Sequence, residues 1–122
     1  MATILLVDDS NLSRRILRRI LEPAGHQIVE AADGMSALER YFLDRPDLVM
    51  LDMTMVGMHG LDVLSKLHEL DPQARVVVAT ADIQSSTQVL ARESGASGFV
   101  AKPFIEEHVL AAVNRVLTEG TE

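Results

Sequence analysis

Five polar residues stand at the ends of apolar runs, and their types suggest a shared chemistry. Asp8 and Asp9 follow Ile4-Leu5-Leu6-Val7, and Asp52 follows Leu48-Val49-Met50-Leu51. Thr80 closes Val76-Val77-Val78-Ala79, and Lys102 follows Gly98-Phe99-Val100-Ala101. Taken singly, each suits a solvated loop. Gathered in one pocket they do not, because two carboxylates about 5 Å apart repel by roughly 3 kcal/mol at an effective dielectric near 20. Three carboxylates in one pocket call for a cation. Lys102 supplies one positive charge and a divalent metal would supply two. The ligand atoms on offer are all oxygens, which selects a hard cation such as Mg²⁺ over zinc or copper. A carboxylate beside such a cation, an ammonium and a hydroxyl can act as nucleophile and accept a phosphoryl group as an aspartyl phosphate. That transfer asks mainly for positioning and for neutralising the charge on three equatorial oxygens, two by Mg²⁺ and the lysine ammonium and the third by a hydrogen bond from the threonine hydroxyl.

The elements must bring these residues together. Strands are expected at Thr3–Val7, Gln27–Ala31, Leu48–Leu51, Val76–Thr80 and Gly98–Ala101. Several are nearly continuous in Ile, Leu, Val and Met, which suits parallel strands covered on both faces. Helical patterns fall between them. Leu12, Ile16, Ile20 and Leu21 recur at helical spacing behind Ser10 or Asn11 as a cap. Asp33 is positioned to cap a second helix, from Gly34 to about Leu43, ending near Asp44-Arg45-Pro46. Leu61, Leu64 and Leu67 mark a third, stopped near Asp71-Pro72. A fourth runs from about Ile83 to Glu93 and ends at Gly95, and Val109, Val113, Val116 and Leu117 mark the last. Five β-α units with right-handed crossovers make a doubly wound α/β sheet, five-stranded and parallel. The carboxyl ends of its strands share one edge, where open α/β sheets bind ligands.

Composition narrows the class. The chain has 122 residues, 48% hydrophobic and 24% charged, which fits a single globular domain. It has no cysteine, which excludes a disulfide framework, a thiolate zinc site and a cysteine nucleophile, and which fits a reducing compartment. The first apolar run is too short for a signal peptide or membrane span, so a cytoplasmic location and no membrane partner are expected. With 11 basic against 18 acidic residues the net charge is −7, and the only aromatic residues are Tyr41, Phe42, Phe99 and Phe104. A binder of nucleic-acid backbone needs the opposite sign, so no direct nucleic-acid contact is expected. The four histidines, His26, His59, His68 and His108, show no ligand spacing and are read as surface or structural residues.

The ordered motifs resemble those of the receiver domain of two-component response regulators, in its stand-alone, CheY-like form. Leu5-Leu6-Val7-Asp8-Asp9-Ser10 resembles the family's acidic pair. Pro46-Asp47-Leu48-Val49-Met50-Leu51-Asp52-Met53 resembles the phosphoacceptor segment, and Val78-Ala79-Thr80-Ala81 the threonine segment. Gly95-Ala96-Ser97-Gly98-Phe99-Val100-Ala101-Lys102-Pro103-Phe104 resembles the lysine-proline segment. The resemblance implies a flavodoxin-like fold with the strand order 2-1-3-4-5 known for CheY-type sheets. It implies a receiver domain over residues 1–118 and a tail at 119–122. Asp52 would accept a phosphoryl group from a sensor histidine kinase or a histidine phosphotransfer domain. Mg²⁺ would be held by Asp9, Asp52 and the backbone carbonyl of Thr54, with Asp8 acting through water. Thr80 and Lys102 would contact the phosphoryl oxygens, and the Lys102–Pro103 bond would be cis. Phe99 would be the switch aromatic, moving with Thr80 and Pro103 as output elements. The face of the fourth helix, fifth strand and fifth helix would then bind an output partner. The chain would be a monomer or a weak phosphorylation-dependent dimer, and no enzyme beyond its own phosphorylation and dephosphorylation.

Some features depart from the pattern or stay open. The family often has Asp-x-x-Met-Pro-x-Met-x-Gly where this chain reads Asp52-Met53-Thr54-Met55-Val56-Gly57-Met58-His59-Gly60, with Val56 at the usual proline. Thr54 and Asp82 stand where the family tunes phosphoryl lifetime. Met50 and Met53 read as core filling, while Met55 and Met58 suit either core or a partner contact. Arg14, Arg15, Arg18 and Arg19 give the first helix a basic face, read as solvated or as steering an acidic partner. Three rivals follow from the same residues. A haloacid-dehalogenase-type phosphatase would need an aspartate where Thr54 stands. The others are a receiver-shaped scaffold that is never phosphorylated and a phosphorelay intermediate or phosphate sink.

Overall fold

The computed structural model describes residues 2–53, 60–81 and 85–119. Five strands alternate with five helices: β1 (Thr3–Val7), α1 (Asn11–Leu21), β2 (Gln27–Ala31), α2 (Gly34–Asp44), β3 (Leu48–Asp52), α3 (Gly60–Leu70), β4 (Val76–Thr80), α4 (Ser85–Glu93), β5 (Gly98–Ala101) and α5 (Glu106–Glu119). All four strand pairings are parallel and the order is β2-β1-β3-β4-β5. Every expected strand is present, and β3 extends one residue further, so Asp52 belongs to the strand itself.

Side chains alternate across a strand, so the continuous apolar runs feed two cores. Ile4, Leu6, Leu48, Met50, Val77 and Val100 face α1 and α5. Leu5, Val7, Val49, Leu51, Val76 and Val78 face α2, α3 and α4. A sheet buried on both faces has no place for polar side chains until its strands end. The first polar positions at the carboxyl ends of β1, β3 and β4 therefore arrive together at one rim.

Caps fix where the helices begin. The Ser10 hydroxyl, not Asn11, accepts from the Ser13 N–H at 3.2 Å to start α1. Asp33 accepts from the Ser36 N–H at 2.8 Å to start α2. Gly95 takes φ +111° after α4, a left-handed conformation that suits glycine. The expected apolar stripe of α1 needs correction. Leu17, Ile20 and Leu21 are buried, whereas Leu12 and Ile16 face outward. Two apolar stripes run along this helix, and the one that includes Leu17 meets α5. The basic face is also only partly free. Arg14 and Arg18 fold inward onto Glu30 of β2, at 2.7 and 2.6 Å, leaving Arg15 and Arg19 as its exposed members.

Candidate functional site

Register sets the site. Val7 of β1 pairs with Leu51 of β3, so the next residues, Asp8 and Asp52, end neighbouring strands side by side. Asp52 in turn pairs with Ala79 of β4, and Thr80 with Ala101 of β5, one residue before Lys102. The Lys102 N–H donates to the Thr80 carbonyl at 2.9 Å and carries the β-ladder to the lysine. The Lys102–Pro103 peptide is cis, as expected.

The side chains converge as the residue types suggested. Carboxylate oxygens of Asp8, Asp9 and Asp52 lie within 4.8 Å of one another. Asp8 and Asp52 are only 2% and 3% exposed, while Asp9 is open to solvent. The Lys102 ammonium bridges the two buried carboxylates, 3.2 Å from Asp8 Oδ2 and 3.1 Å from Asp52 Oδ1. Burial by itself would lower the lysine pKa. The hydrogen bond and charge of Asp52, together with those of Asp8, outweigh burial and hold Lys102 above the ordinary lysine value. It is a cation at any neutral pH. Thr80 is buried at the end of β4 beside this group. Asp8 Oδ1 also accepts from the Ser10 N–H at 2.9 Å, which turns the chain from β1 into α1 with Asp9 at the bend.

The charge count is unfavourable for a closed polar network. Three carboxylates face one ammonium among the described residues, and two of the three are buried. The donor set is hard, anionic and one-sided, which fits a divalent cation with oxygen ligands, of the Mg²⁺ type. Thr54, expected to add a backbone carbonyl, lies outside the described residues, as do Met55, Val56, Gly57, Met58, His59, Asp82 and Ile83. Pro103 is exposed. Phe99 is half-buried on β5 against the α2–α4 core, with the Arg92 guanidinium of α4 5.3 Å from its ring centre.

Two residues at the site escaped the reading of chemical types. Gly60 begins α3, and its N–H donates to the Met53 carbonyl at 3.2 Å. A Cβ there would sit 2.5 Å from Met53 Cα and would overlap the Asp52 carbonyl oxygen, so only glycine lets α3 close on the end of β3. The signal was its fixed distance behind Asp52 in the motif. The other is Arg14, which no motif singled out from the basic face of its helix.

Comparison with known proteins agrees with this geometry. The family model for the response regulator receiver domain matches residues 4–114. The chain is 39% identical to the chemotaxis protein CheY of Bacillus subtilis, covering 93% of this chain and 96% of that one. It is 36% identical to the sporulation initiation phosphotransferase F of the same organism, covering 93% and 92% respectively. Among solved structures, the chemotaxis protein CheY4 of Vibrio cholerae aligns with a TM-score of 0.90 at 29% identity, covering 95% of this chain and 98% of that one.

Proposed function

Because the chain belongs to the response regulator receiver domain family, we propose that it is a phosphorylation-driven switch with Asp52 as phosphoacceptor. The observation that carries this reading is the lysine-bridged carboxylate pair at the rim of β1 and β3, with Thr80 and Asp9 beside it. The donor is a phosphohistidine on a sensor histidine kinase or a histidine phosphotransfer domain. An Asp52 carboxylate oxygen attacks phosphorus, the P–O bond forms, and the P–N bond to the imidazole breaks. The imidazole nitrogen leaves with the electron pair and takes a proton.

Mg²⁺, held by Asp9, Asp52 and the Thr54 carbonyl with Asp8 behind it, would supply positive charge to the phosphoryl oxygens. Lys102, already a cation against Asp52, pairs with a second oxygen, and the Thr80 hydroxyl donates to a third. Lys102 thereby exchanges part of its bond to Asp52 for a bond to the new group. Thr80 is drawn toward the phosphoryl group, and Phe99 follows it inward.

That movement changes the face of α4, β5 and α5, and an output partner reads the change. Phosphorylation shifts this equilibrium only by its differential interaction with the two states. The chain is no enzyme toward other substrates; it promotes its own phosphorylation and its own hydrolysis. A cytoplasmic location suits this role. No described helix is long and apolar enough to cross a membrane.

A second reading, a phosphorelay intermediate, is favoured by the similarity to a phosphotransferase of comparable length. It shares all the chemistry and differs only in passing the phosphoryl group on to a second histidine. Intact-mass spectrometry after incubation with acetyl phosphate and Mg²⁺ tests the common step. One added phosphoryl group is expected on the wild-type chain, and none on Asp52→Asn or in EDTA. If no adduct forms and beryllium fluoride does not bind, the switch is refuted and a receiver-shaped scaffold remains.

A further inference from the structure

Arg14 bonds to both ends of the β1–α1 bend that carries Asp9. Arg14 is on the second turn of α1, and its side chain is 12% exposed. Its guanidinium donates to three acceptors: the backbone carbonyl of Asp8, the Asn11 side-chain oxygen, and Glu30 Oε1 at 2.7 Å. The first two lie at either end of the segment 8–11, and the third anchors the arginine to β2. Glu30 is itself fixed by Arg18, which donates to Glu30 Oε2 at 2.6 and 3.1 Å. Burial alone would raise the Glu30 carboxyl pKa, but the two arginines outweigh it and hold the carboxyl below its ordinary value.

We propose that Arg14, braced by Glu30, is a positioning residue for divalent-cation binding that sets where Asp9 presents its carboxylate. The proposal rests on the metal reading of the site. The Asp8 carbonyl bonded by Arg14 belongs to the peptide that joins Asp8 to Asp9. Asp8 is already fixed at its N–H by the Ala31 carbonyl at 3.2 Å and at its carboxylate by Lys102 and the Ser10 N–H. Asp9 is exposed, and its carboxylate lies within 4.8 Å of those of Asp8 and Asp52. Fixing the peptide plane ahead of it limits where its carboxylate can go. The flat guanidinium reaches three acceptors at fixed angles, which a lysine ammonium on a flexible stem does not reproduce.

Charge and position predict opposite signs here, which makes the role testable. Removing a cation from the neighbourhood of three carboxylates should tighten Mg²⁺ binding if only charge matters. Loss of positioning should weaken it. Mg²⁺ affinity is measured by calorimetric titration of the full chain, with Mn²⁺ paramagnetic resonance as a second readout, on wild type, Arg14→Met, Arg14→Lys and Arg15→Met. Arg15→Met removes the same charge from the next position of the helix without touching the bend.

We expect Arg14→Met to bind about tenfold more weakly, in line with other residues that orient metal ligands from behind. Arg14→Lys should fail to restore the affinity, and Arg15→Met should bind as tightly as wild type or slightly tighter. Unchanged or tighter binding by Arg14→Met with a normal melting profile overturns the proposal. If that variant does not fold, Arg14→Lys decides alone, and wild-type affinity in it overturns the proposal. If the wild-type chain itself binds no Mg²⁺, the metal reading falls and this proposal with it.

Discussion

Replacing Asp52 by asparagine should make the metal-free protein more stable while abolishing its function. The Asp52 carboxylate is 3% exposed and has Asp8 and Asp9 oxygens within 4.8 Å. At an effective dielectric of 20, each such pair costs about 3.5 kcal/mol, and solvent screening roughly halves the share of the exposed Asp9. The repulsion is therefore about 5 kcal/mol. Lys102, 3.1 Å away, returns about 5 kcal/mol on the same scale. The pairwise terms nearly cancel, and what remains is the cost of keeping a charged carboxylate out of water. Asparagine has nearly the same shape, still accepts a hydrogen bond from Lys102, and avoids that cost. A gain of about 1–3 kcal/mol follows, or a melting temperature higher by roughly 4–12 °C for a chain of this length. Thermal and urea melts followed by circular dichroism in EDTA measure it. Mg²⁺ should then narrow the gap, since at ten times its dissociation constant it stabilises the wild type by about 1.4 kcal/mol and the variant by much less. An Asp52→Asn chain that melts below wild type in EDTA would refute this accounting, as would an equal Mg²⁺ response in both.

Other perturbations have equally definite signs. Lys102→Met leaves the carboxylate pair unbridged and should cost about 2–4 kcal/mol in EDTA, less than a fully buried pair because the lysine side chain is 23% exposed; Mg²⁺ should recover more stability in this variant than in wild type. Gly60→Ala should destabilise by about 1–3 kcal/mol in urea melts, because its Cβ meets backbone that cannot yield, and it should also slow phosphoryl uptake from acetyl phosphate. His26 accepts from the Ala2 N–H at Nδ1, 3.2 Å away, and burial holds its pKa below the ordinary 6.5. Its contribution to stability is present above 6.5 and is lost as pH falls through the folded-state value, so the acid-side slope of the urea midpoint should flatten in His26→Gln. In a proton NMR titration, the midpoint of the His26 ring resonances should fall below pH 6.5.

How much was legible in the chain follows from the physics of each feature. The strands were readable because a sheet covered on both faces demands continuous apolar runs, and Ile4–Val7 or Val76–Ala79 can be little else. Asp8, Asp9, Asp52, Thr80 and Lys102 were readable because a polar side chain directly behind such a run is forced to the sheet's rim. The four ordered motifs, at residues 5–10, 46–53, 78–81 and 95–104, then pointed to one family, and the matched residues 4–114 agree. The buried stripe of α1 was less legible. Leu12 and Ile16 have the same spacing as Leu17 and Leu21 and similar hydrophobicity, and periodicity cannot say which of two stripes meets α5.

Residue types and their order thus determined the β-α alternation, the parallel sheet, the edge that carries the site and the chemistry of its oxygen ligands. These are local or one-dimensional properties, set by the period of two along a strand and by what an apolar core excludes. The tertiary structure alone decided which arginines are spent on Glu30, which side chain braces the Asp8–Asp9 peptide, and that Lys102 bridges Asp8 and Asp52 at nearly equal distances. Those pairings join residues 6 to 94 positions apart. Their partners are fixed by strand register and helix rotation, and a change of one residue in either would have joined different groups.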